Sequence, residues 1–211
     1  MTDFALYLIT DRLKTGKWTI AEAVREALDG GVRAVQLREK DLTGLELYRL
    51  AIELRRITSD FDACLIINDR LDIALAAAAD GIQIGVSSLP VAVVRQVVGQ
   101  GKIIGYSAHS IDEALRAQAD GADFVTFGPV YPTPSKAAYG APCGVKKLSD
   151  AVSALDIPVI ALGGISSMNI EEALSTNVRG IAVISAILAA VDPRIAATSL
   201  LKKIEEYAQH S

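Results

Sequence analysis

Eight short apolar runs, each followed by a helical pattern, constrain this chain more than any other feature of its sequence. They cover residues 5–9, 34–37, 64–67, 81–84, 103–105, 124–127, 159–162 and 181–184. Most are continuously apolar, as strands are when both faces of a parallel sheet are covered. Between them, Ile20, Val24, Ala27 and Leu28 form one stripe at amphipathic spacing, and Leu47, Leu50, Ala51, Leu54 and Ile57 form another. Thr19 with Glu22, Thr43 with Glu46, and Ser110 with Glu113 have the spacing of capping boxes. Ala27-Leu28, Ala114-Leu115 and Ala173-Leu174 each precede a glycine, at Gly31, Gly121 and Gly180, and then a strand. Strand starts recur about every 20 to 30 residues, the length of one βα unit. Eight such units with no linker predict an α/β protein, a TIM (β/α)8 barrel forming a single domain over residues 1–211. The rival is an open doubly wound sheet, but residues 10–14 after the first strand lack a glycine fingerprint for a dinucleotide.

Charge narrows the partner. The formal net charge is −4, with 51% hydrophobic and 22% charged residues, so the chain is globular and has no electrostatic footprint for nucleic acid or an anionic membrane. Any anion must sit in a local pocket, and the expected partner is a small molecule. The most apolar segment, residues 181–191, is too short to span a bilayer, and residues 4–9 after Asp3 have the wrong length and charge for a secretory signal. Cys64 and Cys143 lack metal-ligand spacing, which makes a reduced, cytoplasmic setting the default. A homo-oligomer is compatible with all of this.

In such a barrel, function collects at the C-terminal ends of the strands, with phosphate often held after strands seven and eight. After the seventh come Gly163, Gly164, Ile165 and Ser166, and Ser185 follows the eighth at the start of a short helix. Backbone amides there can approach an anion without any basic side chain. Gln36, Arg38 and Lys40 alternate at the end of strand two, Asn68-Asp69-Arg70 end strand three, and Ser107 and His109 follow strand five. Strand six leads through Pro132 and Pro134 to Thr133, Ser135 and Lys136, two hydroxyls and an ammonium on a stiffened loop. One rim therefore carries cations and hydroxyls on one side and a glycine-made anion site on the other, a pocket for two phosphorylated groups.

These motifs, in this order, resemble those of the thiamine phosphate synthase (thiamine-phosphate diphosphorylase) family and its relative, the thiazole tautomerase family. The matching stretches are YLITD from Tyr7, QLREK from Gln36, IND from Ile67, GYSAHS from Gly105, FGPVYPTPSK from Phe127, GGI from Gly163 and AVISAI from Ala182. The resemblance implies a TIM barrel that joins aminopyrimidine methyl diphosphate to thiazole phosphate with Mg²⁺. It implies that Gln36 and Asn68 contact the pyrimidine, and that Arg38, Lys40, Ser107, Thr133, Ser135 and Lys136 hold the diphosphate. Asp69 is implied as metal ligand, and Gly164, Ile184 and Ser185 as backbone donors to the thiazole phosphate. Arg38, Lys40, Ser107 and Lys136 are the groups expected to act in catalysis.

The chain departs from the family pattern at Ser88, where a second metal-binding Asp is expected. Two other readings stay open. A thiazole tautomerase would use His109 as acid and base, and a non-catalytic binder of thiamine intermediates would keep both anion sites. A different phosphate-binding isomerase would need an acid and base such as Asp11 and Asp69.

Overall fold

Each apolar run becomes a strand because it can be covered on both sides. A computed structural model describes residues 4–133 and 141–210. Its strands are β1 (Leu6–Ile9), β2 (Ala34–Leu37), β3 (Cys64–Asn68), β4 (Gly81–Gly85), β5 (Ile103–Ala108), β6 (Phe124–Phe127), β7 (Val159–Leu162) and β8 (Gly180–Val183). They pair in chain order, and β8 pairs with β1 in parallel to close the barrel. The helices α1 (Ile20–Asp29), α2 (Gly44–Asp60), α3 (Leu71–Ala76), α4 (Val91–Val98), α5 (Ile111–Ala119), α6 (Gly144–Ala154), α7 (Ile170–Leu174), α8 (Ser185–Leu188) and α9 (Pro193–His210) complete the fold. Among the described residues, no helix is long and apolar enough to cross a membrane.

Two apolar layers follow from the strand period of two. Alternate residues such as Leu6, Leu8, Val35 and Leu37 face the helices, where they meet Val24, Ala27, Leu28, Leu47, Ala51 and Leu54. The intervening residues fill the barrel: Tyr7, Ile9, Ala34, Ile66, Phe124, Ile160 and Ala182 pack together, with Phe4 below them. The centre is a packed core, as in barrels of this size.

Strand β5 runs to Ala108, three residues beyond its apolar run. Tyr106, Ser107 and Ala108 pair with Val125, Thr126 and Phe127 on β6, so the neighbour extends a strand whose polar sequence conceals it. Strand β8 starts and ends one residue earlier than its hydrophobicity predicts, at Gly180 and Val183.

The caps at Thr19 and Thr43 form as the spacing predicts, with side chains and backbone bonded reciprocally to Glu22 and Glu46. At Ser110 only half the box forms. Its side chain accepts from the Glu113 N–H, but the Glu113 carboxylate reaches one residue further back, to the His109 N–H at 2.8 Å. The glycine turns also divide. Gly31 and Gly121 have φ of +104° and +97° and turn the chain, whereas Gly180 is a strand residue needed because a Cβ would meet the Phe4 carbonyl oxygen at 2.6 Å.

A repeated device braces the N-terminal end of the barrel. Asp80 accepts from the Leu65 N–H and pairs with Arg55 of α2. Asp123 accepts from the Ile104 N–H and pairs with Arg95 of α4. Each carboxylate thus ties a helix to the start of a strand, at the end remote from the predicted phosphate loops.

Candidate active site

Parallel strands of the barrel all end at one face, and there a cavity of about 520 Å³ opens. That volume suits a small-molecule site. Gln36 and Arg38 line it from the end of β2, Asn68 from β3, Ser107 from β5 and Thr133 from the segment after β6. Gly163, Gly164 and Ser166 line it after β7, and Ile184 and Ser185 after β8. Ile9, Leu162, Ile165, Ala182 and Val183 give it an apolar wall between the polar edges. Lys40, Asp69 and His109 do not line it; Lys40 and Asp69 are exposed beyond the lining residues Arg38 and Asn68. Ser135 and Lys136 lie outside the described residues.

Arg38 is held by its backbone, whose N–H donates to the Thr10 hydroxyl at 2.9 Å. Its guanidinium has no hydrogen bond or ion pair among the described residues, although it lines the cavity. The neighbouring charges are engaged elsewhere. Glu39, two residues past the end of β2, is buried and accepts from the Arg12 backbone N–H with both oxygens, at 3.0 and 3.2 Å. Arg12 in turn grips Asp41, which holds that carboxyl below its ordinary range. Arg70, one of the cations expected around the mouth, instead pairs with Asp72 through two hydrogen bonds of 2.9 and 2.6 Å. Arg38 is therefore the described cation placed to meet an anion in the cavity, because a guanidinium lacking a carboxylate is a strong donor fork for phosphate.

The opposing edge is backbone. Gly163 and Gly164 have φ of +103° and +68°, a region that L side chains avoid. Space forbids side chains as well, since a Cβ on Gly163 would lie 2.6 Å from the Pro129 Cα. Asn169 brackets the turn, donating from Nδ2 to the Gly164 carbonyl at 3.0 Å and accepting the Ser166 N–H on Oδ1 at 2.8 Å. The Gly164 N–H donates to no protein acceptor among the described residues, and the first amides of α8 have no intrahelical partner. Sequence reasoning missed Asn169, and it named Asp11, which lines the cavity, only as the acid or base of a different isomerase. Asn169 stands three residues after Ser166 at a helix N-cap, a visible signal, while Asp11 caps the turn of Arg12–Lys14 by accepting from the Leu13 N–H.

Three further groups bear on the chemistry. The His109 Nδ1–H donates to the Gly128 carbonyl at 2.6 Å, tying the ends of β5 and β6 together. The Ser88 hydroxyl accepts from the Gly85 N–H at 2.9 Å, so the residue at the expected second metal position closes its own loop. Burial pushes the Cys64 thiol up to about 12 and raises Cys143 too, which leaves neither as a ready thiolate nucleophile.

The sequence pattern of the thiamine monophosphate synthase family matches residues 6–187. The chain belongs to that family. A protein of Geobacter sulfurreducens, given the name thiamine-phosphate synthase provisionally, is 55% identical over 94% of this chain and 93% of its own. Thiamine-phosphate synthase from Methanobrevibacter smithii is 42% identical over 96% of both chains. The solved structure of thiamine phosphate pyrophosphorylase from Pyrococcus furiosus superposes with a TM-score of 0.89 at 41% identity, covering 96% of each chain. A 3-hexulose-6-phosphate synthase structure, 20% identical with a TM-score of 0.65 over 93% of this chain and 97% of its own, shares the barrel alone.

Proposed function

We propose that this protein is a thiamine-phosphate synthase. It joins 4-amino-2-methyl-5-(diphosphooxymethyl)pyrimidine to 4-methyl-5-(2-phosphooxyethyl)thiazole and yields thiamine phosphate and diphosphate. The observation that carries this reading is a single cavity that meets the guanidinium of Arg38, which has no partner among the described residues, on one edge and the Gly163–Gly164 turn on another. Two phosphorylated substrates need two such anion sites facing one reaction space.

The carbon–oxygen bond of the pyrimidine methyl group breaks first, and its electron pair leaves with the diphosphate. The ring amino group delocalises the resulting cation. The thiazole nitrogen then donates its lone pair to the methylene carbon, forming the new carbon–nitrogen bond and leaving the positive charge on the thiazolium ring. No protein nucleophile takes part. Arg38, Ser107 and Thr133, together with Ser135 and Lys136, stabilise charge on the departing diphosphate. Gln36 and Asn68 orient the pyrimidine, while the amides of Gly164, Ile184 and Ser185 hold the thiazole phosphate so that its nitrogen lies in line.

The residues fit Mg²⁺ in a limited way. Among the described residues no group of three or more acidic, His or Cys side chains could hold a metal by itself. Asp69, at φ +65° on the rim, makes no side-chain hydrogen bond or ion pair among the described residues. Mg²⁺ is commonly held by one or two carboxylates plus substrate phosphates, so Asp69 with the diphosphate would retain it. A bound Mg²⁺ would neutralise charge on the leaving group. The two thiols are free, and we place the reaction in the cytoplasm.

The test is incubation of pure protein with both substrates and Mg²⁺. Thiamine phosphate forms in the wild type and forms far more slowly in Arg38→Ala and Lys136→Ala. No product in the wild type, with isomerisation of the thiazole carboxylate phosphate that disappears in His109→Ala, would assign the tautomerase activity instead.

A further inference from the structure

Beneath the cavity, a line of hydrogen bonds crosses the otherwise apolar interior of the barrel. Gln36 Nε2 donates to the Tyr7 hydroxyl oxygen at 2.9 Å. The Tyr7 hydroxyl donates to Gln83 Oε1 at 3.4 Å, the longest link. Gln83 Nε2 donates to Ser107 Oγ at 3.0 Å and to Thr126 Oγ1 at 3.3 Å, and the Thr126 hydroxyl donates to Ser107 Oγ at 3.3 Å. Tyr7, Gln36, Gln83 and Thr126 are at most 2% exposed, so water cannot substitute for a broken link.

The direction of this line decides what its ends present. With the Gln83 NH₂ committed to two hydroxyls, its carbonyl must face Tyr7. Tyr7 has one proton and spends it on that carbonyl, so its oxygen can only accept from Gln36. Gln36 therefore turns its NH₂ inward, and Oε1, which accepts no hydrogen bond among the described residues, is left for the cavity. At the far end Ser107 already accepts twice and keeps its own proton to donate. Both Gln36 and Ser107 line the cavity.

The surroundings hold this arrangement in place. The Tyr7 ring packs against Phe4 and Phe124 at centroid distances of 5.2 and 5.9 Å. A Cβ on Gly105 would strike both the Gln83 carbonyl and the Phe124 ring. Burial raises the Tyr7 hydroxyl well above its ordinary pKa, so it stays a donor.

We propose that Tyr7 and Gln83 are positioning residues that make the cavity offer an acceptor at Gln36 and a donor at Ser107, selecting a heterocycle with an exocyclic amine over its oxo counterpart. The choice of ligand class rests on the functional reading above. An amine can donate to Gln36 Oε1, whereas an oxo group would set one acceptor against another, with a buried polar group left unpaired.

The test measures binding, which does not require turnover. Calorimetry compares 4-amino-5-hydroxymethyl-2-methylpyrimidine with its 4-oxo analogue on wild type, Tyr7→Phe and Gln83→Glu, with thiazole phosphate as the control ligand. Tyr7→Phe keeps the ring packing and removes the hydroxyl; Gln83→Glu keeps the shape and draws the hydroxyl protons inward. Wild type should prefer the amine by roughly tenfold or more. Tyr7→Phe should reduce that preference to about threefold or less, whereas Gln83→Glu, whose carboxylate still accepts from Tyr7, should keep it and weaken only ligands that accept from Ser107, while the thiazole phosphate Kd stays put in both. An unchanged preference in Tyr7→Phe, a parallel loss of thiazole phosphate binding, or a wild type that binds neither ring or both equally would overturn the proposal. A wild type that selects the amine yet makes no thiamine phosphate would instead overturn the functional reading.

Discussion

A Cβ atom on Gly164 would lie 2.7 Å from the carbonyl oxygen of Pro132. The turn after β7 and the segment after β6 therefore meet at backbone distance, and the two proposed phosphate sites share a wall. Tyr131 fastens the same junction, donating its hydroxyl to Glu172 of α7 at 2.8 Å. On the proposed function, anything that parts these loops acts on both substrates.

Gly164→Ala places a side chain at φ +68° against that oxygen. We expect a loss of roughly 1–3 kcal/mol in urea unfolding. KM for thiazole phosphate should rise more than KM for the pyrimidine diphosphate. Wild-type stability together with unchanged KM values would refute the close-contact account.

Arg38→Ala removes the cavity guanidinium without orphaning a described partner, so stability should stay within about 0.5 kcal/mol. The rate should fall by roughly 10² to 10³ if this cation stabilises the leaving diphosphate, as single preorganised donors do. Arg38→Lys should recover only part, because a point charge replaces a fork. Steady-state kinetics with both substrates saturating separates this from weaker binding.

Arg95→Ala should behave in the opposite way. Arg95 donates to the carbonyls of Gly99, Lys102 and Gly121 and pairs with Asp123 at 2.6 Å, at the far end of the barrel. Its loss leaves several half-buried acceptors unpaired, and a cost of about 2–4 kcal/mol is expected. KM values measured below the lowered melting temperature should not move. A large kinetic effect there would mean that the bracing extends to the mouth.

Alkaline pH should weaken the fold partly through Cys64, whose thiol burial pushes up to about 12 from 9.0. The folded state holds this proton more tightly than the unfolded chain does. The contribution is complete below pH 9 and is lost as pH rises from 9 toward 12. Melting temperatures of wild type and Cys64→Ala across that interval check the sign, since the variant should lose less stability. Alkylation of Cys64 at pH 8 should also be much slower in folded than in unfolded protein.

Much of the scaffold could be read directly because its signals are local. Unbroken apolar runs mark the strands, and the Thr19 and Thr43 caps follow from spacing within one helical turn. The residues grouped at the mouth were also legible: once the chain is a parallel barrel, all strand ends share a face, so Gln36, Arg38, Asn68 and Ser107 must gather there. The end of β5 was not legible, since Tyr106 and Ser107 become strand only by pairing with β6. Nor was the diversion of Arg70 to Asp72, or of Glu113 to the His109 amide, because each competes with an equally plausible neighbour.

Composition and periodicity by themselves determined the element order, the helix starts and the acidic character that demands a local anion site, since each depends on residues close together in the chain. Tertiary structure alone decided that Gly164 abuts Pro132, that Arg38 reaches the cavity without a described partner, and that Tyr7 and Gln83 link Gln36 to Ser107. Those relationships join residues far apart in the chain, and their geometry exists only after barrel closure sets the register of every strand against the next.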